Sequence, residues 1–324
     1  MNRKITKITA AVVVFTALVS GQLNGQGRND VIAAYNEGAQ AIKTDVGSAI
    51  QSFEKVITLA DALGEEAADL KQKAVQILPG LYVRAASNLL SEKKPAAEII
   101  KASKTAMAAS EKYGSDTNKE NAQKLLISGY YNLGTGFFTT KEYDKALLAF
   151  DSLLAINPGY ITAIYNKALV YRVQADNDNF ENTIDLFLSK MVAGKDDARI
   201  KQASALALEY FRAAGSQVLQ AEKTDEALAL LDKAAKYGED KDLFYFFADA
   251  YNKKNNFDKG LEFAQKGLDL ETGDAEAKAK FYYQLAVAQA GKGDTAAACA
   301  SFRNALYGPF AEAAKAQRIN LKCE

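Results

Sequence analysis

The sequence predicts an all-α chain arranged as a solenoid, in which hairpins of antiparallel helices stack side by side. Composition is the first reason: 48% of the 324 residues are hydrophobic and 25% charged, with only 4 Pro and no Trp. Long stretches rich in Ala, Leu, Lys and Glu lose little rotamer freedom in a helix, and strand signals are nearly absent. The second reason is a recurring small residue on a helical pattern, at Gly38, Ala85, Gly134, Ala168, Gly215, Ala248 and Ala286. The third is a matching pattern on the next helix. There a second small or short residue stands at Ala49, Ala97, Ala146, Thr183, Ala227, Gly260 and Ala298, and four residues later come Phe53, Lys101, Phe150, Phe187, Leu231, Ala264 and Phe302. A small residue on one helix lets the next approach closely, and the bulky residue fills the gap that remains. Such a unit cannot bury its own apolar face, so copies must stack.

One stretch carries the pattern most fully. In Tyr130 to Pro158 the residues Tyr130, Leu133, Gly134, Phe137, Ala146, Phe150 and Pro158 meet the pattern W-x2-L-G-x2-Y…A-x3-F…P, with Tyr in place of Trp. The chain therefore resembles the tetratricopeptide repeat (TPR) family, as an exported bacterial multi-repeat protein. The resemblance implies a right-handed α-solenoid of about seven TPR-like helix-turn-helix repeats with a C-terminal capping helix. The expected repeats cover residues 28–63, 65–114, 117–158, 159–194, 196–238, 240–271 and 273–308, with the cap at 310–322.

Taken in order, the elements carry local expectations. Pro79 falls inside a predicted helix over 65–91 and predicts a kink or a break. Lys101 stands where a bulky apolar group belongs, so the second helix of repeat two is expected in a shifted register. Asp116-Thr117 and Asp196-Asp197 offer side-chain oxygens as helix caps. Asn157-Pro158-Gly159 should stop a helix, with Gly159 in a left-handed cap. The step from Ala168 to Gly215 is 47 residues, against 34 from Gly134 to Ala168, which predicts a longer loop over 175–179 and an early start of the next first helix near Asp197. Phe310 to Leu321 reads as an amphipathic cap. The only two cysteines, Cys299 and Cys323, either form one bridge between the last two helices or remain separate thiols; an antiparallel turn near Gly308-Pro309 would bring Cys299 close to Arg318.

The first 25 residues read as a signal peptide: basic residues Arg3, Lys4 and Lys7, an apolar stretch from Ile8 to Val19, then small residues. Cleavage is expected after Gly21 or Gly25. The apolar stretch is shorter than a membrane span, which needs about 20 residues, so no stable membrane insertion is expected after cleavage. Gln22 stands where a bacterial lipoprotein box needs Cys, so lipid anchoring is not expected. These features point to a periplasmic or secreted protein.

Charge and chemistry exclude several function classes. Lys plus Arg and Asp plus Glu number 40 each, which gives no footprint for nucleic acid. The chain has no His, which removes the commonest general base and imidazole metal sites. Two S-x-x-K strings, Ser52 to Lys55 and Ser91 to Lys94, lack the partner motifs that would make them catalytic. Asp176-Asn177-Asp178-Asn179 opens like a calcium loop, but Glu181 replaces the turn Gly and Phe187 the bidentate acid. Gly134-Thr135-Gly136 lacks a preceding strand and is no phosphate cradle. No enzyme activity, cofactor or metal is expected.

The sharper candidates lie three residues before each small marker: Tyr35, Tyr82, Tyr131, Tyr165, Arg212, Tyr245 and Tyr283, with Asn36, Asn132 and Asn166 beside them. In the resemblance this position faces the concave side of the superhelix. Two readings stay open. Either the rings fill junctions between neighbouring first helices, or they also form a recognition surface, since aromatics bring large contact area at little entropy cost. Arg212 and Arg172 are the main cations placed there, too few for the carboxylate clamp of chaperone-binding relatives. The function expected is a non-enzymatic exported scaffold that binds protein or peptide partners in a Tyr-lined groove, in envelope assembly. The alternative is a glycan-binding solenoid whose Tyr rings stack on sugars.

Overall fold

The computed structural model describes residues 27–194 and 196–324, so the expected signal peptide lies outside the described residues. Every regular element among them is helical. The chain divides within one helix into two compact units, one ending at Gly129 and the other starting at Tyr130.

The first unit holds α1 (Arg28–Ala41), α2 (Val46–Leu63), α3 (Ala68–Ser91), α4 (Ala96–Lys112) and the start of α5 (Asp116–Thr139). Its core gathers Val31, Ala34, Ala49, Phe53, Val56, Ala74 and Leu78, all fully or almost fully buried. Gly38 explains the close approach of α1 and α2: a Cβ there would lie 3.0 Å from the Phe53 ring. Asp45 caps α2 by accepting hydrogen bonds from the Gly47 and Ser48 amides. Arg28 pairs with Asp69 at 2.8 Å, tying α1 to α3.

Two expectations change here, the break at Pro79 and the marker at Ala85, and the shifted register of repeat two is met. α3 runs through Pro79 without a break; a short 3-10 turn, Gly64–Ala67, precedes it instead. Proline's missing N–H leaves one carbonyl a turn earlier without its donor, and the buried packing around Pro79 offsets that loss. In repeat two the register is shifted, as Lys101 implies. Ala97 and Lys101 are not among the buried residues, while Ile99 and Ser103, two residues further on in each case, are. The fully buried small residue of α3 is Ala86 rather than Ala85. Gly129 completes the junction, because a Cβ there would meet Ile100 Cγ1 at 2.8 Å.

The second unit continues α5 and adds α6 (Tyr143–Ile156), α7 (Ile161–Val173), α8 (Asn177–Gly194), α9 (Asp197–Gln220), α10 (Thr224–Ala235), α11 (Lys241–Lys253), α12 (Phe257–Leu270), α13 (Ala275–Gly291), α14 (Thr295–Asn304) and α15 (Ala311–Asn320). Phe150, Phe180, Phe211, Phe281 and Phe302 are its largest fully buried rings. Each contributes about 1.5–3 kcal/mol by leaving water. α9 starts early at Asp197, capped by Asp196, whose carboxylate accepts from the Arg199 amide. α5 and α9 have 24 residues each against 13 for α7 and α11, so some first helices are indeed long.

Four local details depart from expectation. The loop before α8 is short, and residues 177–179 form its first turn, so the long step to Gly215 resides in α8 and α9 themselves. On α8 the buried stripe is Phe180, Ile184, Phe187 and Met191, leaving Thr183 beside it and outside the core. Gly159 has no left-handed conformation; its amide donates to Asn157 Oδ1 at 3.1 Å, so an asparagine side chain shapes that turn. Asp116 is the first residue of α5 rather than the residue ahead of it.

The turns supply a repeat signal of their own. Lys93, Lys141, Ala175, Glu222, Asn255 and Gly293 all have positive φ, between 54° and 82°. In each case the next amide reaches back five residues to a helix carbonyl: Lys94 to Leu89, Glu142 to Phe137, Asp176 to Tyr171, Lys223 to Val218, Asn256 to Tyr251 and Asp294 to Gln289. This is the Schellman closure of a helix C-terminus, used for the same first-to-second-helix turn six times over. At the far end Cys299 and Cys323 are joined by a disulfide, and Arg318 also donates to the Cys299 carbonyl at 2.6 Å, so α15 is held to α14 twice.

Candidate functional site

Each tyrosine of the expected row is half-buried, and for Tyr35, Tyr131, Tyr165, Tyr245 and Tyr283 the reason is visible in a ring partner. Tyr35 meets Phe53 edge-on with centroids 5.4 Å apart, Tyr165 meets Phe187 at 4.9 Å, and Tyr283 meets Phe302 at 5.5 Å. Tyr131 lies 6.5 Å from Phe150 and 5.9 Å from Tyr160. In these four repeats the ring three residues before the small marker covers the aromatic that fills the gap behind that marker. Tyr245 instead packs on Phe281 of the next first helix, at 6.2 Å. The row therefore closes the repeat core with one part of each ring and shows the rest to solvent.

Burial, followed by the nearby Asp249 carboxylate, pushes the Tyr245 hydroxyl up to about 12; the same two causes raise Tyr283. Both phenols stay protonated at neutral pH and act as hydrogen-bond donors.

Tyr82 belongs to a different row. It lies four residues before the buried Ala86, the place Tyr130 takes before Gly134. Its hydroxyl donates to Glu54 at 2.6 Å, and it separates two hollows of about 380 and 220 Å³ between α2 and α4. Burial and the Glu54 carboxylate raise its pKa well above the usual phenol range.

The polar candidates divide. Asn36 and Asn132 are exposed beside their tyrosines, whereas Asn166 is half-buried. Arg172 sits half-buried in the last turn of α7. Arg212 is engaged already: it pairs with Asp240, lies 4.0 Å from Asp242, and so fastens α9 to α11. Asp240 is itself the cap of α11, accepting from the Leu243 amide at 2.7 Å. Arg212 thus has a structural partner in place of a free ligand position.

One pocket opens on this row. About 150 Å³ in volume, it is lined by Ile161, Thr162, Tyr165, Phe187, Arg199, Gln202 and Ala203. Phe187 and Ala203 form a buried apolar floor, while Thr162, Arg199 and Gln202 are exposed at its rim. Arg199 pairs with Asp196 at 3.2 Å, which leaves further guanidinium N–H groups available. Sequence reasoning found Tyr165 and Phe187 but passed over Arg199 and Gln202, because they lie on the early turns of α9, outside the repeat pattern. The early start expected for that helix was the signal that exposes them.

Among the described residues no helix is long and apolar enough to cross a membrane.

No family model and no curated protein matches the chain. Solved structures do resemble it. YrrB, described as a TPR protein with an unusual peptide-binding site, is 20% identical with a TM-score of 0.36, covering 59% of this chain and 91% of that one. A tetratricopeptide repeat protein from Parabacteroides merdae is 17% identical at a TM-score of 0.28, over 91% of this chain and 100% of that one. Yeast Tom70 is 18% identical at 0.31, over 90% and 60%. Likeness at this level carries no argument about function, and the fold rests on the chain's own hairpins, small-residue junctions and repeated turns. Those make it a TPR-like helical repeat protein.

Proposed function

We propose that the chain is a non-enzymatic, exported scaffold in envelope assembly that holds an extended segment of a protein partner against its first-helix tyrosines. Within the second unit these are Tyr131, Tyr165, Tyr245 and Tyr283, with Asn132 and Asn166 beside them to bond a peptide backbone through paired donor and acceptor groups. Tyr35 with Asn36 offers the same pairing in the first unit. The observation that carries the reading is the half-burial of one residue type at one helical position: the core fixes each ring, and the remainder is a rigid, amphipathic contact surface.

Export is supported by the basic-apolar-small order of the first 25 residues and by the Cys299–Cys323 disulfide, a bond that persists in oxidising compartments. The glycan alternative would use the same half-exposed rings for stacking, and the polysaccharide arm of the test below separates the two readings.

The test is photocrosslinking in intact cells from Asn132 and Thr162, with exposed Leu148 on the second helix α6 as control. The reading expects crosslinks from the first two positions to a continuous stretch of a partner protein, and few from Leu148. Equal capture from Leu148, or saturable binding of polysaccharide fragments abolished by Tyr131→Ala with Tyr165→Ala, would overturn it.

A further inference from the structure

The chain shows on itself what its tyrosine row accommodates. After α14 the backbone turns at Gly308, whose φ is 54°, passes Pro309 and sets Phe310 against two tyrosines of the row. The Phe310 ring lies 5.5 Å from Tyr283 and 6.3 Å, edge-on, from Tyr245. That seat between neighbouring first helices is filled by a short segment ending in an aromatic side chain.

Beside Tyr165 a comparable seat is open. It too is framed by a row tyrosine and the early turns of the next first helix. Its volume of about 150 Å³ is that of a cavity which holds one benzene-sized ring. Its floor of Phe187 and Ala203 is buried and apolar, as such a ring requires. At the rim, Arg199 and Gln202 supply donors suited to the carbonyl groups of a backbone passing over the opening.

We propose that the pocket beside Tyr165 receives a phenylalanine side chain of an extended partner peptide, as Tyr245 and Tyr283 receive Phe310. The assignment rests on the scaffold reading and adds to it the anchor residue that a partner presents. The ring enters the pocket, stacks against Tyr165, and its flanking carbonyls accept hydrogen bonds from Arg199 and Gln202.

The experiment uses the full chain and two probes. One is a displayed pool of random peptides of about ten residues; the other is a labelled peptide containing Gly-Pro-Phe, with a Phe→Ala counterpart. Selection is expected to enrich Phe-containing peptides. Phe→Ala in the peptide should weaken binding about tenfold or more, the loss expected for one buried ring. Thr162→Trp, which covers the mouth from an exposed position, should weaken it as much, and Ala203→Met, which fills the floor, gives a second measurement if either variant is unstable. Equal binding of the two labelled peptides, or indifference to both pocket variants, would overturn the proposal. Enrichment of peptides without aromatic residues would overturn it while leaving the scaffold reading in place; no enrichment at all would count against both. Concentration-dependent dimers abolished by Phe310→Ala would instead make a second copy the occupant and would also overturn it.

Discussion

Gly134 stands so close to Phe150 that a Cβ on it would lie 2.6 Å from Cε1 of the ring. Both residues are buried, and the ring has no room to retreat without opening the junction of α5 and α6. Gly134→Ala is therefore expected to destabilise the second unit by about 1–3 kcal/mol through overpacking, despite the better helix propensity of alanine. Gly136, two residues on with open space around it, is the control: there alanine should be neutral or stabilising. Urea unfolding of both variants checks the contrast.

Glu222 holds a left-handed backbone, φ 61°, in a turn that the sixth such repeat makes with Gly293. Glu222→Gly relieves that strain and is expected to stabilise by about 1 kcal/mol, offset in part by the greater freedom of glycine in the unfolded chain. Thermal unfolding of the variant against the parent decides the sign; destabilisation would mean that the strain is not felt.

The C-terminal cap depends on one covalent and one polar tie. Removing the disulfide with Cys323→Ser should cost up to about 2–4 kcal/mol, concentrated in α15 because repeat proteins fray from their ends. Hydrogen exchange should quicken over α15 first. Uniform loss of protection across the second unit would contradict a local cap.

Glu181 joins α8 to α10 through Lys233 at 2.9 Å and Lys236 at 3.0 Å. Burial pushes its carboxyl up, but the hydrogen bonds and charges of the two lysines outweigh burial and hold it below its ordinary value of 4.5. A depressed folded-state pKa means stability that is present above the unfolded value and lost as pH falls through the folded one. The second unit should therefore lose stability in acid below about pH 4.5, and Glu181→Gln should flatten that part of the curve. An unchanged acid slope in the variant would show the pair to be energetically idle.

Where steric rules act on single residues, the fold was legible. Gly134, Ala146 and Phe150 stand at their positions because a close helix junction leaves few alternatives, and the same logic placed Gly38 with Phe53 and Ala298 with Phe302. Two adjacent alanines were harder: nothing in the chemistry of Ala85 and Ala86 says which faces the core, so Tyr82 was set in the wrong row. Thr183 and Ile184 posed the same one-residue ambiguity. The turns hid their repetition because Lys, Ala, Glu and Asn occupy left-handed positions where glycine would have announced them. The seat of Phe310 between Tyr245 and Tyr283 joins residues distant in sequence, which no local spacing reveals.

Hydrogen exchange of the full chain, with and without a peptide recovered by crosslinking, tests the central claim most directly. Slowed exchange in the first helices around Tyr165 and Arg199 is expected, with α10 little changed. Slowing confined to α8 and α10 would place the partner on the opposite helices and contradict the account.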